Sequence, residues 1–240
     1  MRKFFVTIAA VCLAVYAWAA EIPAQGVGVQ IGWAQPILRL NSPIASYPKD
    51  SLVDVTKLNG FKVGLMYDAS YIAGFGSTIG VNYTFGAATT PWAAINPGIS
   101  THPQAQTLTT YHEMEVFVDW QYKFELAKET YIILYSGPTI QCGLQINTRK
   151  DRKELDGTVT KGVETNRFVD QTVNEQLNRI NVTWGVGAGF QYKRYFLRGG
   201  YDFGLINPYK NDQFENMDRN TRGRLDQWSI KIGAYIWYED

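Results

Sequence analysis

The strongest constraint on the fold is an alternation of apolar and polar residues that recurs eight times along the chain. A period of two places successive side chains on opposite faces of a β-strand. The first apolar set is Val27, Val29, Ile31 and Trp33, and the eighth is Trp228, Ile230, Ile232, Ile236 and Tyr238. The sequence therefore predicts eight strands, each with an apolar and a polar face.

Six further runs lie between these two. Their apolar sets are Phe61, Val63, Leu65, Tyr67 and Tyr71; Ile79, Val81, Tyr83 and Phe85; Met114, Val116, Val118, Trp120 and Tyr122; Ile132, Leu134, Ile140 and Leu144; Ile180, Val182, Trp184, Val186, Phe190 and Tyr192; and Leu197, Tyr201, Phe203 and Leu205. The fifth run begins apolar on both faces, and its four named residues are assigned outward.

The amino end predicts export. Arg2 and Lys3 precede an apolar stretch at 4–16, and Ala17-Trp18-Ala19 has the small-x-small pattern that signal peptidase requires. We interpret residues 1–19 as a cleaved signal peptide and residues 20–240 as one barrel domain. The alternative, an uncleaved anchor, is disfavoured because the apolar stretch is short for a membrane span.

Charge and cysteine content narrow the class of protein. The chain has 45% hydrophobic and 19% charged residues and a formal net charge of +1, which excludes a disordered chain and a basic nucleic-acid-binding domain. Cys12 lies in the signal peptide behind Val11, where a lipoprotein signal needs a small residue. Only Cys142 then remains, so no disulfide framework is expected.

Alternating strands occur both in soluble sandwiches and in membrane barrels, and two features favour the barrel. The apolar faces are too continuous for one small core. Aromatic residues also lie near strand ends, as in the girdles of membrane barrels: Trp33, Tyr71, Trp120, Tyr122, Tyr192 and Trp228. We therefore predict an all-β fold, a transmembrane eight-stranded antiparallel up-and-down barrel.

The connections between the runs alternate in length, which predicts an orientation. Short connections fall at 72–75, 124–130 and 193–194, and long ones at 37–57, 87–109, 146–178 and 207–224. Membrane barrels place short turns in the periplasm and long loops outside, and an even strand count puts both termini on one side. We expect the outer membrane of a Gram-negative bacterium, with periplasmic termini.

The last strand carries an assembly signal. Lys231, Gly233, Ile236 and Tyr238 resemble the pattern polar-x-Gly-x-x-hydrophobic-x-aromatic that outer-membrane assembly machinery reads. The chain departs from this pattern by ending in Glu239 and Asp240 instead of an aromatic residue.

A family resemblance follows from three segments. The stretch from Leu197 to Asn207, the tripeptide Ser136-Gly137-Pro138 and the C-terminal strand resemble the outer-membrane β-barrel domain family, PorT-like or porin-like, with the architecture of OmpX/OmpA-type barrels. The resemblance covers essentially the mature chain. It implies eight strands and the outer membrane, and it carries over no catalytic residue.

The polar faces predict a filled lumen, because an eight-stranded barrel is only wide enough for side chains. The inward charges form a predicted network of Lys62, Asp68, Glu113, Glu115, Asp119, Arg198, Asp202 and Lys231. Asp202 is expected to pair with Lys231, and Arg198 with Glu115 or Asp119. Glycines 185, 187 and 189 face inward and leave room for large residues. The alternative is a binding site or a narrow proton or ion path.

Catalysis and metal binding have little support. A lipid hydrolase or acyltransferase needs a nucleophile beside a base, and the only histidines are His102 and His112, the latter near Thr110. These histidines and Cys142 lack the spacings of a metal site. We expect no enzyme activity, no metal and no cofactor.

The longest loop, 147–178, carries charges of both signs between Arg149 and Asp156 and then a segment, 158–165, able to extend the hairpin. It is either a solvated loop or a surface for adhesion, for a host or partner protein, or for lipopolysaccharide phosphates. We expect a structural, binding or surface-interaction protein whose partners are outer-membrane lipid and the assembly machinery, without nucleic acid. The alternative is a narrow porin-like channel or transporter.

Overall fold

The computed structural model of the chain describes residues 24–41, 54–72, 74–95, 103–169, 177–208 and 222–239. The predicted signal peptide and His102 lie outside these residues. Within them, no helix has the length and apolar character needed to cross a membrane.

Eight long antiparallel strands form a closed ring. In chain order, these barrel strands are Ala24–Asn41, Asn59–Ile72, Phe75–Thr89, Gln104–Ala127, Thr130–Lys153, Ile180–Tyr192, Tyr195–Gly204 and Arg222–Glu239. Each pairs with the next, and the eighth pairs with the first. Closure leaves no free edge, which a sheet in hydrocarbon requires. The predicted eight-stranded up-and-down barrel is confirmed.

Three short turns lie at one end of the barrel, between Ile72 and Phe75, between Ala127 and Thr130, and between Tyr192 and Tyr195. Gly74, Glu129 and Lys193 have φ values of +85°, +58° and +53°, the left-handed conformation that tight turns use. The described ends of the first and eighth strands lie at this same end. All long connections therefore leave from the opposite end, as the sequence predicted.

The strands continue further into the long connections than predicted. The short strands Ala93–Ala94 and Asp54–Lys57 pair with the fourth and first barrel strands. Val159–Thr160 and Glu164–Asn166 both pair with the end of the fifth strand. Hydrophobic alternation reports only the part of a strand with an apolar face, so the polar extensions carry no such signal.

The barrel is apolar outside and polar inside. Ile31, Leu65 and Ile232 are 50%, 59% and 57% exposed, whereas the neighbouring Gln30 and Lys62 are both 1% exposed. A barrel in water would have the opposite distribution, because exposed apolar surface is unfavourable there. This is a transmembrane barrel. The outward assignment in the fifth strand also holds, since Ile132, Leu134, Ile140 and Leu144 are all exposed.

Tyr238 was assigned outward with Ile236, and that assignment is wrong. In the pairing of the first and eighth strands, Val27 lies opposite Trp237 but Gly28 lies opposite Tyr235, so Ile236 is an extra residue in a β-bulge. A bulge reverses the alternation beyond it. Trp237 is consequently exposed, while the ring of Tyr238 packs inside on that of Tyr235, with centroids 5.0 Å apart.

Most of the predicted aromatic girdle is on the outer face. Trp33, Tyr122, Tyr192 and Trp228 are between 39% and 50% exposed, and Trp120 is half-buried against Trp184. The side chain of Tyr71 lies outside the described residues.

Candidate functional site: the lumen and the protruding hairpin

The first lumen cluster surrounds Lys62 of the second strand. Its Nζ lies 2.8 Å and 2.9 Å from the two carboxylate oxygens of Glu115, and it also donates to Gln227. Asn82 donates to the same Glu115 carboxylate at 2.5 Å and accepts from Gln30 at 2.6 Å. All five side chains are buried, so the ion pair is held in a hydrogen-bonded polar network.

Glu113 lies beside this cluster and accepts hydrogen bonds from the Tyr111 hydroxyl and from Gln227 Nε2, the latter at 3.4 Å. Gln227 thus links Glu113 to Lys62, and through Lys62 to Glu115. Tyr111 was not among the predicted lumen residues, although it has the inward parity of Glu113 and Glu115.

The second cluster surrounds Arg198 of the seventh strand. Its Nη2 lies 3.8 Å from Asp119 and 3.3 Å from Gln121 Oε1, and its Cζ lies 4.3 Å from the centre of the Tyr135 ring. Of the two carboxylates expected for Arg198, Asp119 is the one it meets.

The predicted pair of Asp202 with Lys231 is not formed. In the register of the seventh and eighth strands, Lys231 lies opposite Arg198 and Asp202 lies opposite Gln227, so Asp202 and Lys231 are separated by two inward positions. The Lys231 ammonium lies 5.2 Å from the centre of the Phe117 ring. Neighbouring strands in chain order were known from the sequence, but their register was not.

A third ion pair joins Lys123 and Asp68 nearer the short turns, with Nζ 2.9 Å from the carboxylate. Asp68 also accepts from the Tyr235 hydroxyl and from Gln121. Sequence reasoning placed Asp68 in the lumen but missed Lys123. The signal was available, because Lys123 continues the inward series Asp119 and Gln121.

Two clusters of apolar side chains also line the lumen. Met66, Phe117, Phe196 and Tyr235 form one buried cluster. The other cluster, at the end with the long connections, comprises Leu38, Leu58, Tyr111, Ile146, Phe168 and Leu177, and it lines a cavity of about 20 Å³. That volume holds roughly one water molecule. Side chains therefore fill the described lumen at this end.

Ions of both signs nearly balance in this lumen. The described residues named above comprise four cations, Lys62, Lys123, Arg198 and Lys231, and five carboxylates, Asp68, Glu113, Glu115, Asp119 and Asp202. A selective ion path would need an excess of one sign. Within the described residues, no group of histidine, cysteine or carboxylate side chains could hold a metal.

The inward glycines of the sixth strand make room for large side chains, as predicted. An added Cβ would lie 2.4 Å from Asp202 Oδ1 at Gly185 and 2.2 Å from Tyr135 Cζ at Gly187. At Gly189 it would lie 3.2 Å from Arg198 Cγ. The spacing therefore serves packing.

His112 lies on the outer face of the fourth strand. Its Nδ1 is 2.5 Å from the Tyr83 hydroxyl, and its ring centre is 4.9 Å from that of Phe85. No nucleophile contacts this nitrogen, since Tyr83 occupies it.

The fourth and fifth strands continue as one hairpin beyond the apolar belt. Their pairing runs from His112 opposite Gln145 to Gln104 opposite Lys153. We call residues 103–112 and 145–169 the protruding hairpin. Met114 is the exposed apolar residue of the fourth strand that lies nearest the long connections. From Met114 to Gln104 the strand extends about 33 Å.

The tip of the protruding hairpin exposes aliphatic side chains among charges. Leu155, Val159 and Val163 are 67%, 49% and 84% exposed. Residues 145–169 contain six cations and four carboxylates, a net charge of +2. Two ion pairs order part of this surface, Arg149 with Asp151 at 2.8 Å and Arg152 with Glu154 at 2.7 Å.

Hydrogen bonds also depress two carboxyl pKa values in the hairpin. The Arg149 side chain lowers the pKa of Asp151 below the usual range. The backbone N–H of Thr158, 2.8 Å from Asp156 Oδ1, lowers the pKa of Asp156. Both groups are therefore ionised at neutral pH.

No family model and no curated protein matches this chain. Among solved structures it is similar to Ail, the attachment invasion locus protein of Yersinia pestis, in complex with the heparin analogue sucrose octasulfate, with 10% identity, 89% of this chain and 99% of that chain covered, and a TM-score of 0.36. It is also similar to Neisserial surface protein A, with 12% identity, 89% of this chain and 99% of that chain covered, and a TM-score of 0.35. For the N-terminal β-barrel domain of Pseudomonas aeruginosa OprF, the identity is 10%, the coverage is 88% of this chain and 98% of that chain, and the TM-score is 0.29. Because these TM-scores are low, the barrel fold is established by the closed strand pairing.

Proposed function

We propose that this chain is an outer-membrane protein with a closed lumen that acts through its protruding hairpin, which binds a protein partner at the cell surface. The observation that carries the proposal is the exposed aliphatic tip, Leu155, Val159 and Val163, held well beyond the apolar belt. Apolar side chains at such a position gain nothing from lipid and are unfavourable in water, so a partner surface is their natural environment.

The charges around the tip define the chemistry of that partner. The net charge of +2 over residues 145–169 favours a surface that combines acidic with apolar residues. The hairpin is presented in one conformation, because Val159–Thr160 and Glu164–Asn166 pair with the fifth strand and Gly157, with φ +87°, closes the turn. Preorganisation lowers the entropic cost of binding.

The closed lumen supports a surface role over the alternative of a channel or transporter. Two apolar clusters pack beside the ion pairs in the lumen, and the charges of both signs nearly balance. The Tyr83 hydroxyl is hydrogen-bonded to Nδ1 of His112, and we expect that the chain is not an enzyme.

The orientation belongs to the same proposal. We place both termini and the three short turns in the periplasm and the protruding hairpin outside. An epitope inserted between Asp156 and Thr158, in the hairpin turn, should label intact cells. Labelling only after permeabilisation would reverse the orientation and overturn the surface role.

A photo-crosslinking experiment on living cells tests the partner. A benzophenone amino acid at Val163 should give one discrete protein adduct, and the same group at lipid-facing Ile230 should not. Serine at Leu155, Val159 and Val163 together should abolish the adduct while the barrel still folds. No adduct from Val163, or an adduct that survives the serine variant, would overturn the proposal. Regular conductance steps of the pure protein in a planar bilayer would support the channel instead.

A further inference from the structure

The outer wall of the barrel carries two arginines directly opposite each other. Arg39 of the first strand faces Arg224 of the eighth, and both lie at the end with the long connections. Like charges opposite each other destabilise a strand pair unless an anion compensates them.

Asp226 supplies one compensating charge. It is fully buried, and its carboxylate accepts from Arg39 Nε at 3.0 Å, from Arg224 Nε at 2.8 Å and from the Tyr201 hydroxyl at 2.7 Å. The backbone N–H of Gly204 donates to it as well, at 3.0 Å. These bonds fix both guanidinium groups, whose side chains remain 32% and 44% exposed.

One carboxylate does not balance the cations at this point of the wall. Lys57 is exposed and lies opposite Ile37, one outward position from Arg39 along the first strand. The described outward residues here are thus three cations and Asp226, a surplus of two positive charges. We call Arg39, Arg224, Lys57 and Asp226 the basic wall site.

The height of the basic wall site relates it to the membrane. On the same face of the eighth strand, Trp228 is 50% exposed and its ring lies 4.6 Å from that of Tyr201, which in turn packs on Phe203 at 4.6 Å. Aromatic rings of this kind mark the boundary of the hydrocarbon. Arg224 lies four residues beyond Trp228, or about 13 Å along the strand. It therefore lies at the level of lipid headgroups.

We propose that the basic wall site binds the phosphate group of a lipid in the leaflet that faces the long connections. Guanidinium groups match phosphate in a bidentate geometry, and Asp226 presets both of them for it. The acyl chains of the same lipid lie along Trp228 and Phe203. This site is separate from the protruding hairpin, and the inference rests on the proposed membrane insertion but not on the surface partner.

Native mass spectrometry of the full chain in detergent tests the site. The probes are a short-chain phosphatidic acid, a phosphatidylcholine of equal chain length, and inorganic phosphate. We expect retention of phosphatidic acid by the parent protein. The Arg39→Gln/Arg224→Gln variant should lose on the order of tenfold in affinity, as for a lost charge-assisted pair. The control Arg152→Gln/Lys153→Gln removes equal charge from the hairpin and should bind as the parent does.

Equal affinity of the parent and the Arg39→Gln/Arg224→Gln variant would overturn the site. If inorganic phosphate bound as tightly as phosphatidic acid, the basic wall site would be a site for free phosphate, and the proposal of a lipid ligand would be overturned. The single variant Arg224→Gln keeps the Arg39–Asp226 pair and relieves the contact between the two arginines, so it should retain the gel mobility of the folded protein. It should therefore show a lower affinity for phosphatidic acid even if the double variant misfolds. The crosslinking of Val163 reports separately on the surface role.

Discussion

The guanidinium of Arg198 lies over the ring of Tyr135 inside the barrel, with Cζ 4.3 Å from the ring centre. The ring reaches this position because Gly187 and Gly200 face it: an added Cβ would lie 2.2 Å from Tyr135 Cζ or 2.7 Å from its hydroxyl oxygen. A cation over an aromatic face is stabilised by the quadrupole of the ring. The buried arginine is thus stabilised by Tyr135 together with Asp119.

This packing predicts that a smaller side chain at Tyr135 compensates for an added methyl group at Gly187. Gly187→Ala should lower the free energy of unfolding by about 1–3 kcal/mol, because the new Cβ displaces the Tyr135 ring. Tyr135→Leu should lessen the effect of Gly187→Ala when the two are combined. Urea unfolding in detergent measures both. Gly199→Ala is the control, since its Cβ would meet nothing closer than 3.9 Å. Equal effects at 187 and 199 would contradict the packing.

The ion pair of Lys62 and Glu115 should show strong coupling. Glu115→Gln leaves Lys62 buried without its carboxylate and should cost about 3–5 kcal/mol, whereas Glu115→Gln with Lys62→Met should cost less than the sum. Heat-modifiable gel mobility and urea unfolding provide the measurement. Asp202→Asn and Lys231→Met form the matched cycle, and they should be closer to additive because those residues make no direct pair. The reverse order of coupling would mean the register is wrong.

Arginine substitutions on the outer face of the fourth strand should have different effects on stability in the apolar belt and in the protruding hairpin. Val118→Arg lies opposite Ile79 within the apolar belt and should cost about 2–4 kcal/mol. Thr110→Arg lies on the same face in the protruding hairpin and should cost little. Refolding yield and unfolding in lipid vesicles compare the two. Similar stabilities would place the membrane boundary elsewhere.

The turn of the protruding hairpin should be sensitive to acid. Because the pKa of Asp156 is lowered by the Thr158 N–H, its ionised form stabilises the folded turn. That stabilisation is present above the pKa of the unfolded chain and is lost as the pH falls through the lowered folded value. The Thr158 amide signal, followed by NMR, should therefore shift at a pH below the ordinary Asp range, and Asp156→Asn should abolish the transition. A transition in the ordinary Asp range would contradict the hydrogen bond.

The Phe168 ring should anchor the loop that seals the barrel. An added Cβ at Gly143 would lie 2.2 Å from Phe168 Cζ, so Gly143→Ala should expel the ring. Arg167, which is only 8% exposed, should then be cut by trypsin faster than in the parent. The Gly199→Ala variant is again the control, and trypsin should cut it at Arg167 at the same rate as the parent. Unchanged cleavage in Gly143→Ala would show that another contact holds the loop.

The sequence by itself determined which side chains face lipid and which face the lumen. A strand has a period of two, so Lys62, Glu115 and Arg198 could be placed inside from their neighbours alone. It also determined the count of barrel strands and the alternation of short and long connections, because these depend on where apolar alternation begins and ends. The same period of two would also have placed Lys123 and Tyr111 inside the barrel.

Only the tertiary structure decided which inward charges meet. Lys62 and Glu115 lie on strands that are not neighbours in the ring, and the register that sets Lys231 opposite Arg198 leaves Asp202 opposite Gln227. The bulge at Ile236, which turns Tyr238 inward, and the protrusion of polar strands beyond the belt leave no mark on the alternation. Register, bulges and closure depend on hydrogen bonds and packing across the barrel, which a pattern along one chain does not contain.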